Sequence, residues 1–242
     1  MLKTWFCFFL TLHIIGDFYL QSAELASKKR KELKSLFLHS LFYLATFIVG
    51  ILPFYSLPLL IVALVLAITH FIIDLVKHNY VKKKRDTSQV YLIDQGAHLF
   101  LLAVASIVLA SISQDLTLLK PVVDFLNKTG INYPQVLSAL ALILFISKPI
   151  NITIKQLLEK YRPKEDKNYG IKNAGASIGI LERYIIVLLI GIGQYSTIGL
   201  VLTAKSVARY NRISEDKQFA EYYLLGTLLS TLIAIVAYFL YF

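Results

Sequence analysis

The apolar positions of this chain run on in long blocks, not in the alternation of a half-buried strand or the single stripe of a soluble helix. Blocks at 3–22, 36–56, 57–77, 90–112, 134–152 and 219–241 are each close to the twenty or so residues that cross a bilayer as a helix. A seventh, 183–210, is irregular: Gly191, Gly193 and Gly199 surround a polar Gln-Tyr-Ser-Thr. As one helix it would be about 40 Å long at 1.5 Å per residue. The pattern predicts an all-α polytopic transmembrane bundle of six to seven segments. We expect the seventh to be broken and re-entrant, because a simple crossing would carry Lys205, Arg209 and Arg212 to the side that basic residues avoid.

Between the blocks, Lys and Arg concentrate in three connectors. Residues 23–35 hold Lys28, Lys29, Arg30, Lys31 and Lys34, residues 78–89 hold Lys82, Lys83, Lys84 and Arg85, and 153–181 is also basic. The positive-inside bias assigns these to the cytoplasm. The Pro-bounded turn "LPFYSLP" and the nearly neutral stretch 113–133, with "KTGINYP", belong outside, which also puts the N-terminus outside. The natural division lies near residue 130, giving halves 1–130 and 131–242.

Composition agrees with a membrane protein. Of 242 residues, 57% are hydrophobic and 17% charged, far from a soluble domain. The net charge of +10 reads as topology because its Lys and Arg sit in connectors, so nucleic acid is not an expected partner. The single Cys7 excludes an intrachain disulfide. A cleavable signal peptide is not expected, since the first block contains Asp17 and lacks an A-x-A site before "SAELASKKRKELK".

Charge inside those blocks is the informative feature. His13 and Asp17, His70 and Asp74, and Asp94 and His98 are each four residues apart. Chance would give about 0.3 such pairs, and this spacing puts two side chains on one helix face. In the expected topology these six residues and His39 fall at one level, toward the cytoplasmic side. A charge near the bilayer centre costs some 2.5–3.5 kcal/mol even on the lenient insertion scale, and a shared cation answers that cost. Imidazole and carboxylate one turn apart can ligate one ion, as in H-E-x-x-H. We therefore expect His13, Asp17, His39, His70, Asp74, Asp94 and His98 to bind one or two divalent ions, Zn, Mn or Fe by their mixed ligand type. Asp17, Asp74 and Asp94 are also the candidate catalytic carboxylates, one of them free as general base. Polar pairs that glue helices together, and a proton or ion pathway, are the competing explanations. His78 is expected at the interface, and Gln21, Lys77 and Gln95 are candidates for supporting roles.

In the second half Lys148, Asn151, Asn173, Glu182, Arg183, Lys205, Arg209 and Glu221 flank or interrupt apolar runs. Lys205 and Arg209 share a helix face, and with Arg183 they are candidates for binding an anionic substrate group. The alternative is that they reach lipid headgroups or pair with Glu182 and Glu221. "NAGASIG" lacks the Lys-Ser/Thr of a P-loop and follows no predicted strand.

"HIIGDFYLQ", "HFIIDLVKH" and "DQGAHL", followed by "LER", "AKSVAR" and "AEYYLLGTLLS", resemble a bacterial membrane family catalogued as domain of unknown function 3307. The resemblance implies a polytopic bacterial membrane protein and no particular reaction. Ala176 stands where the family pattern leads one to expect a basic residue. The motif style is also similar to membrane-embedded metal-dependent hydrolases, whose ligands lie near one membrane face. The reading of the residues is a metal-dependent hydrolase of the bacterial inner membrane, its site toward the cytoplasm and its partners membrane lipids and a lipid-like or anionic substrate. Two alternatives are a divalent-metal or proton-coupled transporter and a non-catalytic scaffold.

Overall fold

A computed structural model describes residues 1–54, 56–84, 87–112, 118–163 and 174–242. Arg85 and Asn173 lie outside these residues. Among the described residues the regular elements are helices, joined by one isolated bridge between Phe54 and Leu118. The chain divides into two compact units, Met1–Leu144 and Phe145–Phe242. Residues beyond 130 are tied to the first unit by Ser138 Oγ, which donates to Cys7 Sγ at 3.8 Å.

The first unit contains α1 (Leu2–Ile14), continued by a π-turn at Ile15–Tyr19, then α2 (Ala23–Lys28), α3 (Leu33–Ile51), α4 (Leu57–Lys83), α5 (Ser88–Ile112), α6 (Lys120–Thr129) and the start of α7 (Tyr133–Ile146). Their ends follow local chemistry. Ser22 Oγ caps α2 through Leu25 N, Ser56 Oγ caps α4 through Leu59 N, and Gly130 closes α6 with φ +68°.

Helix α1 is buried nearly all round: Trp5, Cys7 to Ile14 and Gly16 to Phe18 are inside, against α3 and α5. It differs from the outer helices, whose buried stripe is polar at one end and whose exposed face is apolar. Along α4, Leu59, Ala63, Leu66, His70, Asp74 and His78 point inward at helical spacing, while Leu60, Ile61, Leu64, Val65, Ile68, Ile72 and Val76 are exposed. In α5, Asp94, His98, Leu102 and Leu109 are inside, and Ile93, Phe100, Val104 and Ile107 outside. An apolar exterior around a polar interior fits hydrocarbon, not water, as solvent. Among the described residues, six helices are long and apolar enough to cross a membrane: Leu33–Ile51, Leu57–Lys83, Ser88–Ile112, Tyr133–Leu157, Ala174–Gly191 and Lys217–Tyr241. The molecule has the character of a multi-pass membrane protein.

The second unit contains α8 (Lys148–Leu157), a 3₁₀ turn at Glu159–Tyr161, α9 (Ala174–Gly191), α10 (Tyr195–Val207), α11 (Tyr210–Glu215) and α12 (Lys217–Tyr241), capped by Asp216 Oδ1 on Phe219 N. Ile186, Ile190 and Ala234 form its core with Val187, Ile198, Ile235 and Tyr238. The block expected at 183–210 is a hairpin. α9 begins earlier, at Ala174, and the chain turns at residues 192–194, where Gly193 takes φ +73°, a conformation glycine adopts without strain. α10 then returns along α9 until Lys205 meets Glu182. The expected block 134–152 is interrupted at Ser147, because Pro149 cannot continue the backbone ladder.

Candidate functional site

Four helical elements of the first unit meet around an ionisable interior. His13, Asp17, His39, His70, Asp74, Asp94 and His98 are each no more than 5% exposed. His39 Nε2 lies 3.1 Å from His70 Nε2, 3.2 Å from Asp17 Oδ1 and 3.4 Å from Asp74 Oδ2. His70 Nε2 is 3.5 Å from Asp74 Oδ2, and His98 Nε2 is 3.7 Å from Asp94 Oδ1. Asp17, His39 and His70 form one group with ligand atoms within 4.8 Å of one another, and Asp74, Asp94 and His98 form a second. Either group could hold a metal ion.

Two of the three four-residue pairs are therefore direct, and the third is not. Leu20 N–H donates to Ile15 O, five residues back, so the turn at Asp17 is wider than an α-turn and changes the direction in which the carboxylate leaves the helix. Asp17 reaches His39 and receives Gln95 Nε2 at 3.1 Å. His13 belongs to neither group of three. Its Nδ1 is 3.1 Å from the Tyr43 hydroxyl, and its ring centroid lies 5.3 Å from that of His98.

The helices come this close because of small and flat groups. A Cβ on Gly16 would stand 2.9 Å from Tyr43 Cδ2, so glycine permits the approach of the π-turn to α3. Tyr43 stacks on His70 with centroids 3.6 Å apart and planes 3° from parallel. The outer nitrogens Nδ1 of His39 and His70 make no hydrogen bond, so this stacking, and not an outer hydrogen bond, orients the His70 imidazole. His39 and Tyr43 are four residues apart on α3, a spacing that could have identified the tyrosine from sequence.

Two lysines reach the carboxylates. Lys29 Nζ is 3.0 Å from Asp74 Oδ2 and 3.6 Å from Asp17 Oδ1, and Lys77 Nζ is 2.7 Å from Asp94 Oδ2. Burial opposes the Lys29 charge, but Asp74 and Asp17 more than offset it and hold its pKa above the usual lysine value. Lys29 sits in a basic connector that composition explains as topology, so sequence reasoning did not mark it. His78, expected at the interface, is 4% exposed, and its Nδ1 lies 2.9 Å from the Lys29 carbonyl oxygen. It fixes the backbone from which that lysine reaches inward.

Among the carboxylates and lysines of the cluster, three carboxylates face two ammonium groups. The surplus is one negative charge. Asp94 Oδ1, His98 Nε2 and His13 Nε2 are buried without a hydrogen-bond partner, at a cost of about 1–3 kcal/mol each. A coordinated cation would offset the negative surplus and part of that cost, so the donor set fits a metal ion.

Arg183, Lys205 and Arg209 all lie in the second unit. Arg183 is 1% exposed, and each of its three nitrogens donates to a protein oxygen. Its Nε donates to Ile146 O at the break before Pro149, its Nη1 to Ser230 Oγ at 2.9 Å, and its Nη2 to Asn151 Oδ1 at 2.6 Å. The guanidinium thus satisfies backbone and side-chain oxygens around an interrupted helix. Lys205 Nζ donates to Glu182 Oε2 at 2.5 Å and Thr227 Oγ1 at 3.1 Å. Together with Arg209 they line a cleft of about 620 Å³ in this unit.

A family model described as Protein of unknown function (DUF3307) matches residues 5–126. That range contains all seven His and Asp residues, Lys29 and Lys77. No curated protein and no solved structure matches the chain.

Proposed function

This chain belongs to the DUF3307 family, whose description names no reaction, and we propose that it is a membrane-embedded, metal-dependent hydrolase acting on a lipid or other amphipathic substrate. The observation that carries the reading is the pair of buried groups, Asp17 with His39 and His70, and Asp74 with Asp94 and His98. A Zn, Mn or Fe ion held there would polarise a scissile carbonyl or phosphoryl group and lower the pKa of water. The protein's own groups do the rest. A carboxylate not engaged as ligand accepts a proton from the attacking water, and Lys29 and Lys77 limit the negative charge that a substrate must approach. One divalent ion turns the surplus of one negative charge into one positive charge, which favours a substrate with an anionic group, such as a phosphorylated amphiphile. The basic connectors orient the site toward the cytoplasmic side of a bacterial inner membrane.

The ion pairs of Lys29 and Lys77 favour a second reading, in which lysines pair with the carboxylates without a metal and the cluster is a scaffold. Metal analysis of the detergent-purified chain separates the two. Stoichiometric metal in the wild type, lost in Asp17→Ala and Asp74→Ala, together with chelator-sensitive cleavage of a component of a bacterial lipid extract, supports the hydrolase. A metal-free wild type of full stability that leaves every lipid intact removes it.

A further inference from the structure

The cleft in the second unit is independent of the His and Asp cluster and has its own chemistry. It lies where α8 ends, α9 begins, α10 ends and α12 begins. Among the described residues, five basic side chains and a single carboxylate, Glu182, line it. Two of the cations are committed: Arg183 to protein oxygens and Lys205 to Glu182. Lys155 and Arg209 add charge, and among the described residues no second acid lines the cleft. Glu182 is 4% exposed, and its other oxygen, Oε1, is buried with no hydrogen-bond partner. An unpaired carboxylate oxygen asks for an O–H or N–H donor, while the surplus of cations asks for an anion. Leu158, Ile178 and Phe219 supply apolar wall beside both.

We propose that this cleft binds a phosphate ester whose headgroup also carries hydroxyl or amine donors, as in a glycerol phosphate. The phosphate meets Arg209 and Lys155, a hydroxyl or amine donates to Glu182 Oε1, and the apolar walls take the non-polar remainder. The position at the end of the helices suits a lipid headgroup, and a free phosphate ester has the same recognisable chemistry. The inference requires neither a metal nor a reaction in the first unit.

Native mass spectrometry of the detergent-solubilised full chain, in chelator, tests it with three probes: dioleoyl phosphatidylglycerol, dioleoyl phosphatidylcholine and sn-glycerol 3-phosphate. Phosphatidylcholine carries the phosphate but no headgroup donor. Phosphatidylglycerol is expected to bind about tenfold more tightly, the size of one well-made hydrogen bond to a charged group. The double variant Lys155→Ala/Arg209→Ala is expected to weaken phosphatidylglycerol about tenfold or more. Glu182→Gln keeps an oxygen for Lys205 while turning an amide N–H toward the ligand, and should erase the preference over phosphatidylcholine. Displacement of phosphatidylglycerol by glycerol 3-phosphate at comparable concentration identifies the free ester as source, and resistance to displacement identifies the lipid. Equal binding of the two lipids, unchanged in the double variant, overturns the proposal. Should the double variant not fold, the same comparison with Arg209→Lys and Glu182→Gln decides it.

Discussion

Lys29→Met is the most direct probe of how the buried carboxylates remain ionised. Methionine nearly preserves the length and packing of the side chain but removes an ammonium that lies 3.0 Å from Asp74 Oδ2 and 3.6 Å from Asp17 Oδ1. The lysine side chain is 11% exposed and the two carboxylates less so, so solvent screens the pair weakly. Removing one partner of such a buried pair costs about 3–5 kcal/mol. Trp5, the only tryptophan and 2% exposed in α1, reports unfolding of the first unit by its fluorescence during SDS titration. In chelator, the variant is expected to lose stability by that amount. A divalent cation at a hundred times its dissociation constant returns about 2.7 kcal/mol. The wild type gains less, because its ammonium competes with the ion for the same oxygens. A variant as stable as wild type in chelator refutes the electrostatic reasoning. A destabilised variant that no divalent cation rescues refutes the metal reading and leaves the scaffold.

Gly16→Ala places a methyl 2.9 Å from Tyr43 Cδ2 and should cost about 1–3 kcal/mol by overpacking; because Tyr43 must leave its stack on His70, metal stoichiometry should fall with stability. Arg183→Met leaves Ile146 O and Asn151 Oδ1 without their donor and should destabilise the second unit by about 3 kcal/mol, with metal content in the first unit unchanged. Because the α9–α10 hairpin returns Lys205 to Glu182, a Cys introduced at position 212 in a Cys7→Ala background should be labelled by an impermeant maleimide only from the cytoplasmic side; exclusive labelling from the outside refutes the returning hairpin. The Lys29 ammonium is held above the usual lysine value of 10.5, so its contribution to stability is complete below that pH and is lost only as pH rises through the raised value. Unfolding of the wild type followed by Trp5 should accordingly show no loss from this pair between neutrality and pH 10.

The sequence by itself determined that this is a helical membrane protein and that its first half carries His and Asp inside apolar helices. Both follow from local facts: block length measures a bilayer, and charge in an apolar helix must be met by something. The spacing of four anticipated His70 with Asp74 and Asp94 with His98, because an ordinary α-helix fixes that geometry. It failed for His13 and Asp17, where a π-turn, invisible to a periodic pattern, alters the register. Only tertiary structure decided which of these groups come together, because the distances arise from packing between helices and from the close approach that Gly16 permits. It also reassigned two cations: Lys29, which a count had treated as topology, and Arg183, a candidate for binding an anionic group. Lys29 reaches inward because His78 holds its carbonyl, and Arg183 closes a backbone break made by Pro149 more than thirty residues earlier. A basic residue reads alike in sequence whether it faces water, lipid or a buried oxygen, and only the fold supplies its partner.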